Sequence, residues 1–133
     1  MIEKKFDPIK DKCGVIVDTI MSSPDIPTDD GIQFNVRLSV EEAVENIVQY
    51  AYAEGQGWII VKTEVSPENR LIITLRDEGV PFNPLEKDDP DITLSAEERQ
   101  IGGLGIFLCK KLMDKVTYSF ENHCNILIME KNL

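Results

Sequence analysis

Apolar residues recur with helical spacing through residues 39–52, and this stretch organises the rest of the chain. One apolar stripe follows the i, i+4 and i+7 positions and consists of Val40, Val44, Ile47, Val48 and Ala51. Thr28 precedes the pattern and predicts the N-terminal cap of a long helix that runs to about residue 53. Glu42 and Asn46 are four positions apart, so the helix places their side chains side by side on another face.

Shorter patterns on either side of this helix predict the remaining elements. Runs of β-branched and apolar residues separated by a short turn predict antiparallel hairpins. In chain order, the predicted elements are an edge strand (2–6), a helix (11–22), the long helix, a hairpin (58–65 and 70–76), a helix (106–115) and a last hairpin (116–121 and 126–131) around a turn at residues 122–125.

This order of elements predicts an α+β fold. Two hairpins and few strand–helix–strand units favour a two-layer sandwich, in which a mixed, mostly antiparallel sheet carries helices on one face. The length of 133 residues suits a single domain that covers residues 1–133. The segment 85–101 is largely polar and acidic, and it is too long for an ordinary connection, which predicts that it is either functional or a lid.

Composition narrows the range of partners and compartments. The net charge of -10 and the pI of about 4.5 argue against nucleic acid or an anionic membrane as the main partner, because phosphate contacts need clustered Lys and Arg. The three cysteines have no metal-binding spacing, which favours reduced thiols in a cytoplasmic protein. The first residues lack the apolar core of a signal peptide, and no apolar run approaches the length of a membrane span.

Three short motifs carry candidate chemistry. The carboxylate of Glu42 can take a proton, and the amide oxygen of Asn46 can ligate a hard cation such as Mg²⁺. Asp77 follows an apolar strand, where it can accept the amine proton of adenine. Glycines at positions 102, 103 and 105 lead into a helix, whose free N–H groups suit a phosphate. The plain alternatives are a solvated helix face, a turn-capping aspartate and an ordinary helix entry.

In this fixed order, the motifs resemble the GHKL, or Bergerat-fold, ATPases. Within them, the chain is similar to the bacterial anti-sigma-factor serine/threonine kinases. Residues 42–52 resemble the N box of that family, residues 77–84 its first glycine box and residues 102–108 its second. The resemblance covers residues 8–131 and implies the histidine-kinase-like ATPase fold.

The resemblance implies ATP and Mg²⁺ as cofactors and a role for each matching position. Asn46 would bind the Mg²⁺ that bridges the phosphates, and Glu42 would be the general base toward a partner's Ser or Thr hydroxyl. Asp77 would hold adenine, with Gly79 giving the base room. The implied phosphate-binding positions are Gly102, Gly103, Leu104, Gly105 and, within the lid, Arg99.

The function implied by this family is phosphoryl transfer from ATP to a Ser or Thr of a STAS-type antagonist. By the same analogy, a sigma factor or another effector would be sequestered, and homodimers are common in the family. Two alternatives stay open, a non-catalytic ATP-binding interaction module and an α+β interaction domain without a ligand.

Two comparisons within the family refine this expectation. Histidine kinases share the fold but phosphorylate a His on a dimerising helix pair. In this chain no such helix pair is predicted before the fold, and His123 is predicted to be an exposed turn residue, so autophosphorylation on His is not expected. The chain departs from the kinase pattern at Tyr50, where His is usual, at Pro81, which replaces a second Gly, and in lacking a Gly-Thr pair near the last hairpin.

Overall fold

Five strands and three helices make up the described part of the computed structural model, which covers residues 1–7, 13–51, 57–81, 83, 85 and 104–133. For residues 50, 51, 104 and 105 the description is limited to the backbone. The strands are β1 (Ile2–Phe6), β2 (Ile59–Val65), β3 (Arg70–Asp77), β4 (Lys115–Glu121) and β5 (Cys124–Asn132). The helices are α1 (Cys13–Met21), α2 (Asp30–Asn46), which continues as a π-helical turn (Ile47–Ala51), and α3 (Leu104–Leu112).

The strands form one sheet in the order β1–β2–β3–β5–β4. Every neighbouring pair of these described strands is antiparallel, so the sheet has no parallel pairing of the kind that a mixed sheet would contain. Alternate residues of β2, β3 and β5 are buried, and the helices cover that face. The predicted α+β sandwich, its edge strand β1 and both hairpins are confirmed.

One row of the sheet combines polar and apolar residues on the inner, helix-covered face. Cross-strand partners place the following residues in line across all five strands: Phe6, Ile59, Asp77, Asn125 and Phe120. The deeper rows are mainly apolar in the three central strands and contribute to the core, so the polar pair in the middle of this last row lies where the core ends.

Helix α2 begins one residue later than predicted. Its N-cap is Asp29 rather than Thr28, because the Asp29 carboxylate accepts a hydrogen bond from the main-chain N–H of Ile32 at 2.9 Å. Val40, Val44 and Ile47 of the predicted stripe are buried.

Among the described residues, every helix is too short or too polar to cross a bilayer.

The last helix and hairpin differ in their boundaries from the prediction. Helix α3 ends at Leu112, whose carbonyl accepts a hydrogen bond from the Lys131 ammonium at 2.9 Å, and β4 already begins at Lys115. The turn between β4 and β5 has two residues, Asn122 and His123, with φ of 52° and 63°. Such left-handed pairs match the twist of a tight hairpin, so β5 begins at residue 124 and not at 126.

Candidate functional site

Asp77 is a buried carboxylate at the end of β3, and it shapes the turn that follows. Only 2% of its surface is exposed, and its Oδ1 accepts a hydrogen bond from the main-chain N–H of Gly79 at 2.9 Å. Burial raises the pKa of Asp77, and hydrogen bonds from Asn125 and Gly79 oppose that rise. No cation among the described residues pairs with this carboxylate, so its burial costs stability and marks it as a candidate binding residue.

Asn125 is a candidate site residue that the sequence analysis did not identify. The sequence places it in a four-residue turn, but the two-residue turn brings it into β5, where it pairs with Asp77 and is 5% exposed. Its Nδ2 donates to Asp77 Oδ1 at 2.9 Å and to the carbonyl of Val80 at 3.1 Å. The alternation with Leu127 and Met129 was the signal that could have assigned Asn125 to the buried face.

Glu42 and Asn46 lie one turn apart on α2, as predicted, and both side chains are half-buried. Burial raises the pKa of Glu42, and the neighbouring charges of Glu45 and Glu41 raise it further. A carboxylate with a raised pKa is a stronger base once it is ionised. The helix widens into its π-helical turn directly after Asn46, a local irregularity that is frequent at functional sites.

Helix α3 packs directly against α2 near Glu42. The thiol of Cys109 on α3 donates a hydrogen bond to the main-chain carbonyl of Ser39 at 3.2 Å. Burial raises the pKa of Cys109 to about 12, and the charge of Glu42 contributes to that rise. This contact anchors α3 to α2 close to Glu42. The first turn of α3, at residues 104–107, belongs to the helix that is anchored in this way.

The structure brings the predicted site residues together in two groups. Hydrogen bonds join Asp77 and Gly79 in one turn, and helical spacing joins Glu42 and Asn46 on α2. Leu104 and Gly105 open α3. The remaining predicted positions, Arg99, Gly102, Gly103 and the lid apart from Leu85, lie outside the described residues.

The donor set fits a magnesium ion that is held mainly by a nucleotide. Within the described ranges, no group of three or more His, Cys, Asp or Glu side chains could hold a metal ion. Magnesium in phosphoryl-transfer sites usually keeps several waters and phosphate oxygens and takes only one or two protein oxygens. The amide oxygen of Asn46 can supply one such ligand.

Comparison with known sequences gives a family for most of the chain. Residues 19–131 match the family described as the histidine kinase-like ATPase domain. The serine-protein kinase RsbW of Bacillus thuringiensis (strain Al Hakam) is 35% identical over 98 residues, which cover 71% of this chain and 61% of the relative. The RsbW of Bacillus anthracis matches with the same identity and coverage, so the match spans 61% of the length of these curated relatives.

Two solved structures have the same fold. The RsbU and RsbW domains of Rv1364c from Mycobacterium tuberculosis match with a TM-score of 0.67 and 13% identity over 100% of this chain and 33% of that chain. The histidine kinase domain of the Erythrobacter litoralis EL346 blue-light activated histidine kinase matches with a TM-score of 0.58 and 17% identity, over 90% of this chain and 57% of that one. The family match, supported by this fold, confirms the predicted resemblance: the chain belongs to the family of histidine kinase-like ATPase domains.

Proposed function

We propose that this chain is an ATP-dependent serine/threonine protein kinase that phosphorylates a STAS-type antagonist protein. The observation that carries the proposal is the buried carboxylate of Asp77, which two N–H donors hold through one oxygen at the end of β3. Such a carboxylate can accept a hydrogen bond from the exocyclic amine of adenine. The match to an ATPase family and to serine-protein kinases supports this assignment.

The phosphates would lie between α2 and the start of α3. Asn46 would supply an amide oxygen to Mg²⁺, and the backbone N–H groups at residues 102–105 would bind phosphate oxygens at the positive end of α3. Leu104 and Gly105 begin that helix. Arg99 of the lid would add a cation, which an acidic chain needs in order to hold a polyanion.

Glu42 would act as the general base of the transfer step. It would take the proton of the partner's hydroxyl while the hydroxyl oxygen forms a bond to the γ-phosphorus and the bond to the β-phosphate oxygen breaks, which releases ADP. The charges of Glu41 and Glu45, together with burial, make this carboxylate more basic than an ordinary one. Most of the remaining rate acceleration would come from positioning and from charge neutralisation.

The biological setting is part of the same proposal. We infer a cytoplasmic regulator that sequesters a sigma factor or another effector while the antagonist is phosphorylated, and that acts as a homodimer. Sedimentation analysis of the purified chain tests the dimer. Co-purification with a STAS protein of the same organism, with and without ATP, tests the exchange of partners.

Calorimetric titration of ADP and ATP, with and without Mg²⁺, tests the nucleotide site. Asp77→Asn should weaken ADP binding about 10- to 100-fold, because a hydrogen bond to a charged acceptor is worth about 1.5–3 kcal/mol. Asn46→Ala should remove the Mg²⁺ dependence, whereas Asn35→Ala on the same helix should not. Folded wild-type protein that binds neither nucleotide would overturn the proposal.

Phosphotransfer with Glu42→Gln separates the kinase from a non-catalytic module that binds ATP and only switches partners. Tyr50, at a position where the related kinases usually carry His, favours this second candidate. For the kinase, Glu42→Gln should keep ADP affinity and lower transfer to the STAS protein by about 10²–10⁴-fold, while Glu64→Gln on β2 should retain transfer. A wild type that binds ATP but never transfers phosphate to that protein would favour the module.

A further inference from the structure

The side-chain amide of Asn125 has both of its ends fixed. Its Oδ1 accepts a hydrogen bond from the hydroxyl of Tyr118. Its Nδ2 donates to the carboxylate of Asp77 and to the carbonyl of Val80. A flipped amide would place its oxygen against two acceptors, so these partners allow a single orientation.

Tyr118 reaches this amide diagonally across the last hairpin. It pairs with Leu127, and Asn125 is two residues earlier on the same inner face of β5. Diagonal neighbours on one face of an antiparallel pair lie about 7–8 Å apart, a distance that an aromatic side chain spans. Neither residue belongs to the three motifs found in the sequence, yet together they connect the hairpin to the Asp77 turn.

We propose that Asn125, oriented by Tyr118, is a positioning residue that fixes the carboxylate of Asp77 and makes the site selective for 6-aminopurine over 6-oxopurine nucleotides. The inference rests on the proposed nucleotide site and specifies what it selects. It concerns the base end of the ligand alone, so it holds for a kinase and for a non-catalytic ATP-binding module.

The selectivity follows from which carboxylate oxygen is held. Both hydrogen bonds that the described residues donate to Asp77 reach Oδ1, one from Gly79 and one from Asn125. These two bonds hold the carboxylate in place, and Oδ2, to which none of the described residues donates, would be the oxygen that meets a ligand. An ionised carboxylate only accepts hydrogen bonds, so it binds a 6-amino group and repels a 6-oxo oxygen. A carboxyl group that carries a proton can donate to a 6-oxo oxygen and loses this distinction, and the N–H donors of Asn125 and Gly79 oppose that protonation.

The experiment compares the affinities of ADP and inosine diphosphate, which differ at the 6-position, by calorimetry at pH 6 and pH 8. The wild type should prefer ADP at least about tenfold. Asn125→Asp places a second carboxylate against Asp77, and such a pair shares one proton, which can donate to a 6-oxo group. The preference should therefore fall by about tenfold or more at pH 6 and recover partly at pH 8.

Two further variants make the outcome decisive. Tyr118→Phe removes the donor that orients the amide and should lower the preference about three- to tenfold at pH 6 and less at pH 8; because it deletes one hydroxyl, it also serves if Asn125→Asp does not fold. Asn132→Asp, the same change at the far end of β5, should leave the preference unchanged. Equal loss of both affinities in the Tyr118 and Asn125 variants would show a structural role and overturn the inference. A folded wild type that binds neither diphosphate would instead overturn the nucleotide site itself, and the inference with it.

Discussion

The thiol of Cys109 on α3 donates a hydrogen bond to the main-chain carbonyl of Ser39 on α2, at a distance of 3.2 Å. Both residues are fully buried. Ser39 precedes Glu42 by one helical turn, so this contact sets the position of α3 relative to the proposed base. The backbone N–H groups that begin α3 are thereby held in a fixed relation to Glu42, an arrangement that phosphoryl transfer requires.

Cys109 should be the least reactive thiol of the chain. Burial raises its pKa to about 12, so at pH 8 only about 1 in 10⁴ of the thiols is ionised, and the thiolate is the reactive form. Peptide mass spectrometry after brief treatment with iodoacetamide should find Cys13 and Cys124 modified first, since both are half-buried. In urea all three should react. Modification of native Cys109 as fast as Cys124 would contradict the buried contact.

The rate of phosphotransfer should depend on pH through Glu42. A general base must be ionised, so kcat/KM should fall as pH decreases through the pKa of Glu42, which burial and the charges of Glu45 and Glu41 raise. Changing Glu41 and Glu45 to Gln removes both charges and should move this acidic limb to lower pH. The control changes Glu64, near the end of β2, and Glu68, in the turn that follows it, to Gln, which removes the same number of charges at positions that do not influence the pKa of Glu42. If the acidic limb of kcat/KM does not move in the Glu41 and Glu45 variant, the group that titrates there is not Glu42.

The contrast between Glu42 and Asn125 shows how far the sequence alone could predict this site. Helical spacing, which is a local rule, predicts that Glu42 and Asn46 lie side by side. The burial of Val40 and Val44 then determines the orientation of α2 about its axis. Asn125 lies 48 positions from Asp77, and its role depends on strand register. That register follows from a turn with two left-handed residues, and one of them is His123, a residue type that does not by itself indicate such a turn. Amides are also uncommon inside strands, which favoured a turn at Asn125.

The same distinction between local and long-range information applies to the fold. Alternating apolar residues predicted β2, β3 and their antiparallel pairing, because a short connection leaves few other geometries. The pairing of β3 with β5, which completes the site, joins segments that the lid and α3 separate. Arg99, Gly102 and Gly103 stay predictions of the family resemblance, since they lie outside the described residues.

Asp77→Asn should abolish selective nucleotide binding without a loss of stability. The amide keeps an oxygen for the N–H donors of Gly79 and Asn125 and removes a buried charge. Since burial raises the pKa of Asp77 in the folded state, ionisation destabilises the fold above the unfolded pKa of about 3.8, and this penalty is absent below it. The melting temperature at pH 7 should therefore equal or exceed that of the wild type, by up to about 5 °C, and the difference should narrow toward pH 4.

Asp30→Asn is the matched control for this prediction. Asp30 is exposed in the first turn of α2, so the substitution removes the same charge without relieving burial. Loss of an acidic residue beside the helix N-terminus should lower the melting temperature slightly. A marked drop for Asp77→Asn at pH 7 would show that the carboxylate stabilises the fold, which would weaken its assignment as a binding residue.

Thr63 and Ser23 join β2 to the loop after α1 through hydroxyl groups 2.8 Å apart. Thr63 also donates to Oδ2 of Asp25 at 2.9 Å. Burial raises the pKa of Asp25, but hydrogen bonds from Thr63, the N-terminal ammonium and Ser23 outweigh it, so the pKa lies below its usual 3.8. This carboxylate therefore stabilises the folded state above pH 3.8, and the stabilisation is lost as pH falls through the lower folded pKa.

Thr63→Val should lower the free energy of unfolding by about 1–3 kcal/mol at pH 7, because it keeps the shape of the buried side chain but removes the hydroxyl that contacts Ser23 and donates to Asp25. The deficit should narrow at pH 3, because below the unfolded pKa of 3.8 the ionised carboxylate contributes less to stability. Thr117→Val on the outer face of β4 is the matched control and should change stability by less than about 0.5 kcal/mol. Urea titrations at both pH values measure these effects, and equal deficits for the two variants would show that the hydroxyl cluster contributes nothing.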